Sequence, residues 1–198
     1  MQDIQNHSAT ASIALSNEKT VVPGFSNAEF VKLCGFRTDA TGSELADLAR
    51  KLTRGGSYIN KSVLSHPSLT FEPFYFFFYG SLQAKKTLMR ACRLEDPNPA
   101  LIPASITGWK VMMWGRYPSL IPAEGNEVKG MCWKCEEPKH VALLRFYETD
   151  AYRMESCKIT TDGGEVIEEG RVFVSAVPEE LAEGSFDLAS YIGSYNNS

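Results

Sequence analysis

The sequence has no excess of basic residues, no run of Lys or Arg, and no long apolar segment. Its 198 residues carry 20 Lys and Arg against 24 Asp and Glu, for a net charge of −4 and a pI near 5.5. An acidic chain without a basic stretch is not expected to bind nucleic acid. The longest apolar run, Phe74–Tyr79, is far too short to cross a membrane. We therefore predict a soluble globular protein that binds neither nucleic acid nor membrane.

Cysteine is also sparse, and residues 1–20 lack the basic start and apolar block of a secretory signal. The cysteines are odd in number and scattered: Cys34, Cys92, Cys132, Cys135 and Cys157. These features predict reduced thiols in a cytoplasmic protein.

Cys132 and Cys135, with His140 and Cys157 downstream, have some likeness to a zinc site. Structural zinc usually uses two close pairs of ligands, and a second pair is missing. In a strand, residues three positions apart point to opposite faces. We therefore expect no metal site.

Charge and tryptophan content divide the chain into two parts. Residues 1–70 have a net charge of +1, whereas residues 71–198 have −5 and contain all three tryptophans. We predict an N-terminal extension over residues 1–70, partly disordered in 1–20, and a main domain over residues 71–198.

Two short helices are predicted in the extension. Ser26–Glu29 has the pattern of a capping box, and Gly35 is a suitable stop for the helix that follows. Thr41–Glu44 is a second box, before a helix that ends at Gly55-Gly56. The apolar stripe of this second helix, which should pack on the main domain or on a partner, consists of Leu45, Leu48, Ala49 and Leu52. Residues 55–70 are predicted as a loop.

Strands outnumber helices in the main domain and do not alternate regularly with them, which favours an α+β fold with a curled, mostly antiparallel sheet. The predicted strands are Phe74–Tyr79, Ile106–Trp114, Val128–Cys135, Tyr152–Thr161 and Val166–Val177, the last two turning at Asp162–Gly164. The predicted helices are Leu82–Leu94, Pro138 to about Glu148, and Phe186–Ile192.

The first candidate for function is Tyr79-Gly80-Ser81-Leu82, where the apolar strand gives way to a predicted helix. Backbone N–H groups at such a helix start are able to bind an anion or an oxyanion. The alternative is a plain strand-to-helix turn with Ser81 as the N-cap.

The second candidate is Glu148, which a helical wheel places between Val141 and Leu144 on the buried side of its helix. Burial and the negative helix end would both make its carboxylate a stronger base. The alternatives are a Glu that frays into water or one that pairs with Arg145.

Four segments, in this order, resemble one known family. Phe78–Leu82 is similar to its "F-x-Y-G-[ST]-L" signature, and Gly115–Ile121 to its "Y-P-x-I" segment. Glu124–Gly130 matches the stretch that leads into its "V-x-G-x-x-[YW]" strand, and Leu144–Tyr152 resembles "L-x-x-[YF]-E-x-x-x-Y". The family is the γ-glutamylcyclotransferase-like superfamily, in particular its γ-glutamylamine cyclotransferase and plant avirulence-induced branch.

The resemblance implies a small, mixed, mostly antiparallel β-barrel with flanking helices and no cofactor. It implies an acyltransferase or lyase that cyclises a γ-glutamyl group to 5-oxoproline and releases an amine or amino acid. Glu148 would be the acid/base, and the substrate-binding residues would be Tyr79, Gly80, Ser81, Leu82, Tyr117 and Tyr152. The partner would be a small γ-glutamyl substrate, and a homodimer is possible.

Two departures from the family pattern concern the substrate side of the site. Thr149 stands where the family usually has Gly, and Arg153 follows Tyr152 directly instead of two positions later. They leave a second hypothesis open, a non-catalytic binding module on the same fold that uses its N-terminal helices to dock a partner.

Overall fold

A closed barrel of five strands forms the centre of the computed structural model, which describes residues 24–53 and 61–196. The strands are β3 (Phe74–Phe78), β4 (Ile102–Trp114), β5 (Tyr117–Cys135), β6 (Tyr152–Thr161) and β7 (Val166–Ser175). Their order is β3-β5-β4-β6-β7, and the parallel pairing of β3 with β7 closes the barrel, while the other neighbours are antiparallel. The predicted fold class is confirmed.

β3 is buried on both faces, as its apolar sequence predicts. Phe77 faces the barrel interior, where it packs with Ile106 and Val172. Phe76 and Phe78 face outward into a second core formed with the helices. The ring of Phe76 stacks on that of Phe173 at 5.5 Å between centroids. One strand therefore contributes to two hydrophobic cores.

Five helices lie outside the barrel and contribute side chains to this second core: α1 (Asn27–Leu33), α2 (Gly42–Thr53), α3 (Lys61–Leu64), α4 (Lys85–Cys92) and α5 (Pro138–Glu148). The last helix, α6 (Leu188–Asn196), is not part of this core. Phe30 and Leu48 of the N-terminal helices belong to the same cluster as Phe76 and Trp133 of the barrel. The apolar stripe of α2 is thus covered within the chain.

Two arginines tie the carbonyl ends of α1 and α2 to the rest of the molecule. The buried Arg171 of β7 donates from Nε to Leu33 O at 3.1 Å and from Nη2 to Lys32 O at 3.3 Å. Arg145 of α5 donates from Nη1 to Leu52 O, and its guanidinium lies 5.3 Å from the centroid of the Phe30 ring. Cations at helix C-termini are stabilising because the last carbonyls lack partners within the helix.

Local sequence signals agree well with the helix starts and with one hairpin. Ser26 and Glu29 form the predicted capping box of α1, Pro138 is the first residue of α5, and Gly164 turns with a φ of 86° between β6 and β7. The expected end of α2 at Gly55-Gly56 and the expected disorder in residues 1–20 lie outside the described residues.

Other expectations were wrong. Residues 61–64 form α3, and β2 (Leu69–Phe71) pairs with β1 (Phe36–Thr38), so this part of the predicted loop is structured. The predicted helix from Leu82 is a 3₁₀ turn over Ser81–Gln83 followed by α4, and Ser81 is not the N-cap of α4; that residue is Ala84.

The β4–β5 hairpin is also much longer than predicted. It turns at residues 115–116 and includes Pro103, Pro118 and Pro122. Proline is depleted in strands, so these positions were not predicted as strand. Proline is tolerated there because a long hairpin has positions whose N–H groups are not needed by the ladder. Within the described residues, no helix is long and apolar enough to cross a membrane.

Shared burial between α2 and the barrel predicts that both unfold together. Leu48 is 1% exposed, so Leu48→Ala should lower the free energy of unfolding by about 2–4 kcal/mol. Tryptophan fluorescence in urea measures this in the barrel, because all three tryptophans lie in β4 and β5. The exposed Ser43→Ala is the control, with a change of about 0.5 kcal/mol or less. An unchanged barrel midpoint in Leu48→Ala would mean that the extension folds independently.

Candidate active site

The cavity at the end of β3 has a volume of about 370 Å³. Every site residue predicted from the sequence lines it: Tyr79, Gly80, Ser81, Leu82, Tyr117, Glu148 and Tyr152. The other lining residues are Phe77, Phe78, Trp114, Pro118, Tyr147, Thr149, Phe173 and Tyr191. The structure thus brings the predicted residues together, while their roles stay predictions.

One wall of the cavity is the turn that follows β3. A Cβ added at Gly80 would lie 3.1 Å from Cγ of Pro118, so glycine allows this turn to pack closely against β5. The carbonyl of Gly80 accepts from the N–H and from the side-chain amide of Gln83, both at 3.2 Å. The first N–H groups of such a 3₁₀ turn have no partner within the turn itself.

Glu148 is the last residue of α5, and its partly buried side chain lines the same cavity. Desolvation by burial raises the pKa of Glu148 to about 8. Among the described residues, none forms an ion pair or hydrogen bond with this carboxylate. Arg145, the alternative partner three positions earlier, binds Leu52 O of α2 instead. A carboxyl group of this kind is able to release and regain a proton near neutral pH.

A buried phenol, that of Tyr79, and a partly buried one, that of Tyr152, lie close to Glu148. Tyr79 donates to Phe173 O at 2.8 Å, and Tyr152 donates to Pro118 O at 3.0 Å. Burial raises the pKa of both phenols, and the Glu148 charge raises the pKa of each further. Both tyrosines therefore stay protonated and keep their hydrogen bonds at neutral pH.

Sequence reasoning missed several lining residues, mainly aromatic ones. Tyr147 and Ser81 join across the cavity through their hydroxyl oxygens, which are 2.8 Å apart. Trp114 reaches the cavity from the end of β4, and Tyr191 reaches it from within α6. The sequence offered no local signal for these residues beyond their aromatic side chains, since their convergence depends on the tertiary fold.

The two departures from the family pattern have different structural outcomes. Arg153 does not line the cavity; it bonds Glu155 Oε1 at 2.9 Å and Ser175 O at 2.6 Å. Thr149 does line it, with φ of 62° and ψ of −172°. That backbone region is essentially restricted to glycine, so a β-branched residue is strained there.

Cys132 and Cys135 lie on opposite sides of the barrel wall. Cys132 packs in the interior cluster, and Cys135 packs in the cluster under the helices. The period of two along β5 thus separates the two thiols, as expected for residues three apart in a strand.

The structural class is defined by a small mixed barrel with a cavity at the end of β3, lined by a partly buried carboxyl group that pairs with no described residue. The model of the family described as gamma-glutamyl cyclotransferase, AIG2-like, matches residues 76–190, which is more than half of the chain. The chain belongs to this family. No match was found among curated proteins.

Solved structures give further similarities. A protein from Arabidopsis thaliana solved in solution is 19% identical, covering 65% of this chain and 86% of that chain, with a TM-score of 0.49. A structure described as gamma-glutamyl cyclotransferase is 19% identical, covering 53% and 68%, with a TM-score of 0.43. A yeast gamma-glutamyl cyclotransferase specific to glutathione is 14% identical, covering 57% and 73%, with a TM-score of 0.42. None of these structures adds to the argument for activity.

The raised pKa of Glu148 predicts a pH-dependent cost to folding. Below its ordinary pKa of 4.5 the carboxyl is protonated in both states; between 4.5 and about 8 only the unfolded chain releases its proton. The free energy of unfolding should therefore fall as pH rises through this window. Glu148→Gln should be as stable as wild type near pH 4 and about 4 kcal/mol more stable at pH 8.

Urea unfolding at several pH values measures this difference. Asp150→Asn removes the same charge from an exposed position two residues away and should leave the pH dependence unchanged. Parallel pH profiles for wild type and Glu148→Gln would contradict a desolvated carboxyl in the folded protein.

Strain at Thr149 gives a second stability prediction. Thr149→Gly should raise the free energy of unfolding by about 1 kcal/mol, because relief of strain exceeds the entropy cost of glycine. Thr149→Ala keeps a Cβ and loses the weak 3.4 Å bond from Ala151 N to Oγ1, so it should give no gain. Thermal unfolding of the three proteins compares them, and a gain in Thr149→Ala would locate the strain elsewhere.

Proposed function

We propose that the chain is a γ-glutamyl cyclotransferase that forms 5-oxoproline from a γ-glutamyl compound. The observation that carries the proposal is Glu148, a carboxyl group with a raised pKa and no partner among the described residues, inside a cavity bounded by the Tyr79–Leu82 turn. Family membership supports the reaction type.

The reaction moves two protons from the attacking nitrogen to the leaving nitrogen. The substrate's α-ammonium group gives one proton to the Glu148 carboxylate, and the freed amine attacks the γ-carbonyl carbon. The new C–N bond closes the five-membered ring. The old bond from the γ-carbon to the leaving nitrogen then breaks, and Glu148 returns its proton to that nitrogen. The ring nitrogen, which still carries two hydrogens after the attack, loses one of them to the departing amine. The products are 5-oxoproline and an ammonium ion, and no water is consumed.

A base for this cycle should have a pKa near the working pH, since it must accept and donate in the same turnover. Burial gives Glu148 that property without a second titrating group. The γ-carbonyl oxygen becomes negative during attack, and N–H groups of the turn over residues 80–82 are the proposed donors. The walls of the cavity would hold the γ-glutamyl chain folded so that its ends meet.

A second candidate function is ligand binding without turnover in the same cavity. Thr149 favours this binding function, because a residue with a strained backbone follows the proposed base at a position where the family usually has glycine. Incubating the protein with a panel of γ-glutamyl amines, amino acids and peptides, and assaying 5-oxoproline by mass spectrometry, separates the two. Binding without any 5-oxoproline would favour the binding module.

Glu148→Gln should lower kcat by about a hundredfold or more, since the amide cannot take the proton. Ligand affinity should change little, because Gln nearly matches Glu in shape. Asp150→Asn, which alters an exposed acid nearby, should keep full activity. Near-normal turnover in Glu148→Gln would place the base elsewhere.

The pH profile gives an independent check. Because the base must be ionised to act, kcat/KM should rise about tenfold between pH 6 and pH 7 and level off above the Glu148 pKa of about 8. A profile that is flat from pH 6 to pH 8 would show that this carboxyl is not the group that titrates.

A further inference from the structure

Four aromatic side chains surround the outer part of the cavity: Trp114, Tyr117, Tyr147 and Tyr191. Tyr117 is 39% exposed and Tyr147 is 38% exposed, whereas Phe77, Tyr79 and Phe173 deeper in the cavity are buried. Large aromatic side chains left open to water at a cavity rim do not contribute much to the core. Such surfaces usually mark a site for a ligand.

The rim aromatics are held in place by contacts of their own. The indole Nε1 of Trp114 donates to Glu180 Oε2 at 2.8 Å, and the Tyr147 hydroxyl is 2.8 Å from Ser81 Oγ. The Tyr117 ring lies 6.4 Å from that of Trp114 and 6.3 Å, edge to face, from that of Tyr191. A rim fixed in this way loses little conformational freedom when a flat ring binds to it.

The described residues that line the cavity offer no cation to an anionic leaving group. Glu148 is the only charged residue among those that line the cavity in the described part of the chain, and it is acidic. A second acid, Glu180, is bonded to the Trp114 indole. Arg116 lies beside the rim, with its guanidinium 5.6 Å and 5.3 Å from the ring centroids of Tyr117 and Tyr191, and does not line the cavity.

We propose that the leaving group is an aromatic amine without a carboxylate, as in a γ-glutamyl arylalkylamide. This proposal rests on the proposed function. The γ-glutamyl part would occupy the inner cavity beside Glu148, and the aryl ring would contact Trp114 and Tyr117 at the rim. A leaving amino acid or peptide would bring a second carboxylate, besides the α-carboxylate that every γ-glutamyl compound carries, and none of the described residues that line the cavity is a cation. Offset or edge-to-face aromatic contacts are worth more than the buried area alone.

Three substrates that differ by one group each test this proposal. They are γ-glutamyl-phenethylamine, γ-glutamyl-ethylamine, which lacks the ring, and γ-glutamyl-phenylalanine, which adds the carboxylate. The expected order of kcat/KM puts the phenethylamide about tenfold or more above both others. Equal or better turnover of the ethylamide or the phenylalanine compound would overturn the proposal and leave the cyclotransferase activity standing.

A matched pair of variants locates the preference. Trp114→Ala should reduce the ratio of phenethylamide to ethylamide turnover at least severalfold. Trp109→Ala removes the same side chain from the same strand but outside the cavity, and should keep the ratio. An unchanged ratio in Trp114→Ala would overturn the assignment of the rim. If wild type prefers γ-glutamyl-phenylalanine and Arg116→Ala abolishes that preference, Arg116 binds the carboxylate of the leaving group and the proposal is wrong.

Binding to Glu148→Gln separates this proposal from the proposed reaction. Calorimetry with the three compounds reports the rim preference in a protein that should not turn them over. Tighter binding of the phenethylamide supports the rim assignment even if wild type releases no 5-oxoproline, which would defeat the proposed function alone. Equal affinities, or no binding of any of the three, would overturn the rim assignment.

Discussion

A strand that is apolar on both faces must be covered on both faces, and β3 imposes this requirement on the whole molecule. Its inward face, with Phe77, needs a closed barrel, and the parallel contact with β7 supplies the closure. Its outward face, with Phe76 and Phe78, needs helices, and the N-terminal extension shares that cover with α4 and α5. A half-covered β3 would leave a large apolar surface in water, so barrel and helices depend on each other.

The site follows from the same strand. β3 ends at Phe78, the chain turns at Gly80 and opens a cavity against β5, and α5 packs so that its last residue lines this cavity. The aromatic side chains around the cavity also exclude water from Glu148, which is why its pKa rises although no described residue pairs with it. Stability and chemistry conflict here, since the folded chain keeps an unpaired carboxyl and a strained Thr149 side by side.

Features set by local chemistry were predictable from the sequence. Pro138 begins α5, the Ser26–Glu29 box begins α1, and the run of aromatics gives β3. Features set by pairing over distance were not. Prolines interrupt the strand pattern of the β4–β5 hairpin, and β1 and β2 are too short to show an alternation of apolar and polar residues. Glu148 was found because its helix has a buried face, whereas Trp114 and Tyr191 could be found only from the fold, as they belong to two elements far apart in the sequence.

Through Arg145, the N-terminal extension affects the charge environment of Glu148. It lies three residues before Glu148 on α5, a spacing at which opposite charges on a helix pair, yet its guanidinium is engaged by Leu52 O and the Phe30 ring. Both partners lie outside residues 76–190, the part that matches the family. The extension thus insulates the carboxyl group from the nearest cation on its own helix. Without Leu52 O and the Phe30 ring, Arg145 would be free to pair with the Glu148 carboxylate, and a cation beside that carboxylate would lower its pKa.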